Sequence, residues 1–241
     1  MIKRRLFAIS LLFNFLFVSL AGYTFYKKGG LSYITSKVYK VSSENKINQL
    51  SNYPYRLDRI SLFDNLSEKK NSIIFLGDSI TDGCEWSELF NNSNIVNRGI
   101  NSDTTYGILE RVHQIVKLNP EKVFLMIGTN DLREGRTIAD IRNDYEKIVK
   151  EFSEKLPSAR IYVQSVIPSS QDKYPGRSQQ RIHDLNKEIR ELAVKYHLTY
   201  IDLYTEMLSD DGKLDPNLTN DGLHLNGNGY IVWKNIIKDY L

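Results

Sequence analysis

Residues 73–83 read Ile-Ile-Phe-Leu-Gly-Asp-Ser-Ile-Thr-Asp-Gly, a short apolar run that stops at Gly77 and gives way to a polar turn. Four apolar residues are too few for a globular helix. The absence of apolar–polar alternation predicts a strand buried on both faces, as in a parallel sheet. Four more short runs share this character: Ile95–Asn97, Val123–Ile127, Ile161–Val166 and Thr199–Leu203. Longer stretches with helical spacing separate them. Ile108, Leu109, Val112, Ile115 and Val116 form one stripe, and Ile138, Ile141, Tyr145, Ile148, Val149 and Phe152 a second. Ile182, Leu185, Ile189, Leu192 and Tyr196 form a third, and a last helix is predicted from about Gly229 to Tyr240. Thr137 and Ser178 are placed to cap the second and third. Repeated strand–helix units predict an α/β fold, a five-stranded parallel sheet with helices on both faces.

Four polar motifs follow predicted strands. Gly77-Asp78-Ser79-Ile80-Thr81-Asp82-Gly83 follows the first, and Asn97-Arg98-Gly99-Ile100-Asn101-Ser102-Asp103 the second. Gly128-Thr129-Asn130-Asp131 follows the third, and Asp221-Gly222-Leu223-His224 comes between the fifth strand and the last helix. Parallel strands put these motifs at one edge of the sheet, where ligands bind in open α/β folds.

The residue types suit acyl transfer. A serine hydroxyl needs a base to take its proton, and an imidazole such as His224 serves. Asp221 lies three residues before His224, and Gly222 permits the tight turn that brings them together. The carboxylate then holds Nδ1–H and leaves Nε2 facing Ser79. Candidate donors for the oxyanion are the backbone N–H groups of Ser79 and Gly99 and the side-chain amide of Asn130. Asp78, Asp103 and Asp131 read as loop-bracing groups, and Arg98 as a surface ion-pair residue. Trp86 reads as pocket wall or core, and Cys84 as a small packed side chain. The loop 168–178 carries Gln171, Asp172, Lys173, Tyr174 and Arg177, polar groups suited to a sugar.

The blocks Phe-Leu-Gly-Asp-Ser-Ile-Thr-Asp-Gly, Asn-Arg-Gly-Ile, Ile-Gly-Thr-Asn-Asp and Asp-x-x-His, in this order, resemble the SGNH subgroup of GDSL-type esterases and lipases. The four letters fall on Ser79, Gly99, Asn130 and His224. The stretch from about Tyr55 to Leu132, with Glu85-Trp-Ser-Glu-Leu-Phe90 and Asp103-Thr-Thr105, is similar to platelet-activating-factor acetylhydrolase subunits and bacterial carbohydrate acetylesterases. The resemblance implies a three-layer, flavodoxin-like fold over residues 55–241 and ester hydrolysis with no metal or cofactor. Members often carry glycine after the Gly-Ile pair, where this chain has Asn101 and Ser102.

The 241 residues are 41% hydrophobic and 25% charged, a globular composition. Cys84, the one cysteine, excludes an internal disulfide framework. The net charge of +3 owes its sign to Lys3, Arg4, Arg5, Lys27 and Lys28, so no nucleic-acid partner is expected of the body. Those residues flank Leu6–Tyr26, a run without a charged residue and long enough as a helix to cross a bilayer. Residues 1–28 therefore read as a signal anchor in the membrane, or as a signal peptide cut after Ala21, with the remainder outside. Residues 29–54 read as a stalk and 55–241 as the catalytic domain. The acidic stretch 210–228 fails the calcium-loop pattern because Asn220 stands where glycine is needed. The expected activity is extracytoplasmic serine-esterase cleavage of short O-acetyl esters on a saccharide or glycoconjugate. A membrane-proximal lysophospholipase or thioesterase, an acyltransferase and a silent glycan-binding module are the alternatives.

Overall fold

The computed structural model describes residues 14–15, 18–20, 22–27, 29, 53–67, 69, 71–170 and 174–241. Residues 1–48 and 49–241 form separate units. In the first, the described residues at 14–15, 18–20 and 22–27 have helical backbone. Among the described residues, no helix is long and apolar enough to cross a membrane. The rest of the anchor or signal segment and most of the stalk lie outside the described residues.

The second unit is a three-layer α/β/α fold. Five parallel strands, β1 (Ile73–Gly77), β2 (Ile95–Gly99), β3 (Lys122–Met126), β4 (Arg160–Gln164) and β5 (Thr199–Ile201), pair in the order β2-β1-β3-β4-β5. This is the flavodoxin-like order, whose switch point lies between β1 and β3. The helices are α1 (Pro54–Asn65), α2 (Ser79–Asp82), α3 (Trp86–Leu89), α4 (Thr105–Leu118), α5 (Thr129–Arg133), α6 (Ile138–Lys155), α7 (Gln179–Lys195) and α8 (Gly227–Ile237). The last helix thus starts two residues before its predicted position, because Asn226 accepts from the Gly229 N–H and caps it. Thr104, Thr137 and Ser178 cap α4, α6 and α7 in the same way.

The pleat divides the core. Ile74, Leu76, Val123, Leu125, Ile161 and Val163 point to one face, where the apolar stripes of α4, α6 and α7 cover them. Phe75, Phe124 and Tyr162 occupy matched register positions on the other face and stack at 5.0 and 4.6 Å between centroids. Trp86 continues the stack at 4.1 Å from Phe75, and Trp233 of α8 meets it edge-on at 4.8 Å. Trp86 is 1% exposed and so belongs to the core rather than to a pocket wall.

Arg98 departs from the surface ion-pair expectation. It is buried, donates to its neighbour's carbonyl at Asn97, and lies 4.6 Å from the centroid of Phe63 in α1. Burial, together with the nearby Arg111 and Arg59 charges, lowers its pKa to about 10.

Candidate active site

The register pairs Gly77 with Gly99 and with Met126, so the chain leaves β1, β2 and β3 at one level. Ser79 begins α2 immediately past that edge. Asp78 caps the turn by accepting from the Ile80 N–H at 3.0 Å. As the first helical residue, Ser79 keeps a backbone N–H with no intrahelical acceptor. Tyr230 of α8 donates to Ile80 O at 2.8 Å and ties the turn to the last helix.

His224 reaches Ser79 from the loop before α8. Its Nε2 lies 3.0 Å from Ser79 Oγ, and its Nδ1 lies 2.7 Å from Asp221 Oδ2. The local sequence builds this pair. Asp221 Oδ1 accepts from the N–H groups of Leu223 and His224, each at 2.8 Å, closing a turn in which Gly222 has φ +91°. Left-handed φ of that kind costs most side chains about 1–2 kcal/mol but glycine little. Thr219 braces the loop: its hydroxyl donates to His224 O at 2.7 Å and accepts from the Gly222 N–H at 2.8 Å. Burial would raise the Asp221 pKa, but the bonds from His224 and Leu223 outweigh it and hold the carboxyl at about 2. With an anionic carboxylate at Nδ1, the proton of a neutral ring sits there and Nε2 offers its lone pair to Ser79.

Asn130 sits at the start of α5 and is buried. Its Nδ2 donates to Asp103 O at 3.0 Å, and its Oδ1 accepts from Arg177 Nη2 at 3.1 Å. Asp103 takes bonds from Arg56 and Arg111, while Asp131 accepts from the Thr105 N–H and hydroxyl and from Arg136. Both carboxylates therefore brace the loops, as their sequence positions suggest. Asp78 is fully buried, and its Oδ2 has no hydrogen-bond partner. Burial pushes its pKa up to about 7.

Gly99 requires a correction. Its N–H, expected to face an oxyanion, donates instead to Asn97 Oδ1 at 2.8 Å. The glycine serves close packing, because a Cβ there would lie 2.2 Å from Asp82 N and 2.7 Å from Thr81 C. Asn97 itself staples the nucleophile turn, its Nδ2 lying 3.0 to 3.1 Å from the carbonyls of Thr81, Asp82 and Cys84. Just beyond Gly99, the Asp103 N–H closes a turn on Ile100 O, and Ser102 inside it has φ +64°. Among the described residues the Ser102 N–H has no hydrogen-bond acceptor. The sequence held one signal for this, the Asn101-Ser102 pair at positions where the resemblance leads one to expect glycine.

The remaining candidates do not join the relay of Ser79, His224 and Asp221. Cys84 is buried, and burial pushes its thiol up to about 12, so it is no nucleophile. His113 and His183 are largely exposed. Arg177, read as part of a sugar-facing loop, turns inward and is 3% exposed. Among the described residues no group of three or more His, Cys, Asp or Glu side chains could hold a metal ion.

The family model for GDSL-like lipases and acylhydrolases matches residues 75–232. Platelet-activating factor acetylhydrolase IB subunit alpha1 of Homo sapiens is 29% identical over 170 residues, spanning 68% of this chain and 72% of that one. A solved structure from Streptococcus pneumonia, described as a platelet activating factor, superimposes with TM-score 0.71 at 29% identity, covering 82% of this chain and 95% of that one. The lipase/acylhydrolase of Enterococcus faecalis superimposes with TM-score 0.62 at 27% identity, covering 71% and 94%. With its five parallel strands, its Gly-Asp-Ser turn and a match across most of the folded unit, this chain belongs to the GDSL-like lipase/acylhydrolase family of ester hydrolases.

Proposed function

We propose that this chain is a serine esterase for short acyl esters, acetyl above all, with Ser79 as nucleophile, His224 as base and Asp221 as its orienting partner. The observation that carries the reading is the continuous relay of 3.0 Å and 2.7 Å from Ser79 Oγ through the imidazole to Asp221 Oδ2. Ser79 Oγ attacks the ester carbonyl carbon while His224 Nε2 takes the hydroxyl proton. The tetrahedral oxyanion draws on the Ser79 N–H and on the Nδ2 hydrogen of Asn130 that Asp103 O leaves unused. The Ser102 N–H is the third donor, in place of Gly99. Each such donor is worth about 10²–10³ in turnover in a preorganised site. The imidazolium returns its proton to the departing alcohol, leaving an acyl-serine. Water, deprotonated at the same nitrogen, releases the acid and restores Ser79.

The acetyl preference follows the acetylhydrolase relatives. The leaving group we assign is a sugar hydroxyl of a saccharide or glycoconjugate outside the cytoplasm. Lys3, Arg4 and Arg5 ahead of the uncharged run Leu6–Tyr26 support that location, either anchored in the membrane or released after cleavage. The test is an ester series from acetyl to decanoyl with p-nitrophenol and acetylated sugars as leaving groups, run with the purified chain and Ser79→Ala. Acetate release that Ser79→Ala abolishes is the expected result. A preference for C8 or longer chains would replace the acetyl reading by a lysophospholipase or thioesterase reading. Undiminished activity in Ser79→Ala would overturn the nucleophile.

A further inference from the structure

We propose that Arg177 is the positioning residue that locks the Asn130 amide with its nitrogen available to the oxyanion and strengthens it as a donor. The proposal rests on the esterase reading above and assigns a role to a residue outside its four motifs. Arg177 comes from the segment between β4 and α7, far in sequence from Asn130, and is 3% exposed. Its Nη2 donates to Asn130 Oδ1 at 3.1 Å. Its Nε donates to Thr129 O at 3.1 Å and to Thr129 Oγ1 at 3.0 Å. The guanidinium thus grips two successive residues of the turn that follows β3.

The chemistry of the partners fixes the amide without ambiguity. A guanidinium has donors only, so the Asn130 atom it touches must be oxygen. Asp103 O is an acceptor, so the atom it touches must be the amide nitrogen. Turning the amide by 180° would set NH2 against guanidinium and oxygen against carbonyl. Each of those contacts leaves a buried group unsatisfied, at about 1–3 kcal/mol. The amide therefore has one orientation, and it is the one that leaves an N–H free.

Charge adds to orientation. The hydrogen-bond partners of Arg177 around Asn130 are neutral oxygens, and the Asp78 and Asp221 carboxylates act on its charge through space. A cation on the amide oxygen draws electron density from the amide nitrogen, which makes its N–H a stronger donor. The effect works only through Asn130 and grows as negative charge develops at the reacting carbonyl. It should therefore appear in kcat rather than in KM. The guanidinium is itself held in place. The Tyr174 ring lies 5.2 Å below it, Ser169 Oγ donates to Arg177 O at 2.9 Å, and the Ser170 N–H donates to Gly222 O at 2.7 Å. The same segment thus touches both the Asn130 turn and the His224 loop.

A double-mutant cycle on the full chain tests this with p-nitrophenyl acetate. Arg177→Met should lower kcat about 10–100-fold with KM changed less than about threefold, and Arg177→Lys, which keeps the charge, should recover part of the loss. In an Asn130→Ala background, Arg177→Met should cost less than about twofold, since the amide it acts through is gone. Costs that multiply in the double variant, or a rise in KM with kcat kept, would overturn the proposal while leaving the Ser79 reading intact. Should Arg177→Met fail to fold, the cycle is closed with Arg177→Lys, and equal losses with and without Asn130 again overturn it. A wild-type chain that hydrolyses no ester would overturn the esterase reading and this proposal together.

Discussion

In Asp221→Asn one carboxylate oxygen becomes an NH2 group, and the surroundings of residue 221 decide which one. Oδ1 accepts from two backbone N–H groups at 2.8 Å, while Oδ2 faces His224 Nδ1 at 2.7 Å. An amide oxygen on the Oδ1 side keeps both backbone bonds. The NH2 then donates to Nδ1, the ring proton moves to Nε2, and that hydrogen points at Ser79 Oγ. In this tautomer the imidazole has no lone pair for the serine proton. Turning the amide restores the useful tautomer but sets NH2 against two N–H donors. Leaving those unsatisfied costs about 1–3 kcal/mol each. The half-exposed setting of Asp221 favours the lower part of that range. A total of about 2–4 kcal/mol corresponds to about 30–10³-fold in kcat, at about 1.4 kcal/mol per decade. Asp221→Ala imposes no tautomer. The isosteric asparagine variant is therefore expected to be as slow as the alanine variant or slower. Steady-state kcat on p-nitrophenyl acetate measures the ordering, and nitrogen-15 NMR of His224 reads the tautomer. An asparagine variant within tenfold of the wild type, or clearly faster than alanine, would refute the reasoning.

Asp78 and the β2 glycine give two further tests. Burial raises the Asp78 pKa to about 7, so the folded state holds that proton more tightly than the unfolded chain, where carboxylates titrate near 4. Stability on this account is fullest below pH ~4, falls as pH rises towards ~7, and is level above. Asp78→Asn keeps the cap on Ile80 and cannot ionise. It should melt higher than the wild type at pH 8, with the gap closing by pH 4; a gap independent of pH would contradict the burial argument. Gly99→Ala forces a Cβ onto the backbone of Thr81 and Asp82, so it should lose folded protein or melt several degrees lower. Ser102→Gly should keep kcat within about threefold, because the donor we assign there is the backbone N–H and glycine accepts φ +64° readily. A large kcat loss in Ser102→Gly with the fold intact would show that the hydroxyl matters instead.

The sequence by itself determined the architecture and the meeting of Ser79 and His224. Short unalternating apolar runs mean buried parallel strands, and parallel strands deliver their following turns to one edge. Asp221 and His224 were legible as a pair because their contact is local, closed by a three-residue turn with glycine inside it. What only the tertiary structure decided depends on which hydrogen bonds are already taken. Gly99 and Ser102 lie in the same motif, yet Asn97 consumes the N–H of one and the turn at Ile100 leaves the other open. Arg98 and Arg177 looked like surface residues because arginine usually is one. Burying them requires stacking on Phe63 in one case and the oxygens of Thr129 and Asn130 in the other, partners brought from distant segments. Spacing along a chain reveals the edge at which groups gather, whereas the occupancy of each donor and acceptor is set by three-dimensional neighbours that no local pattern encodes.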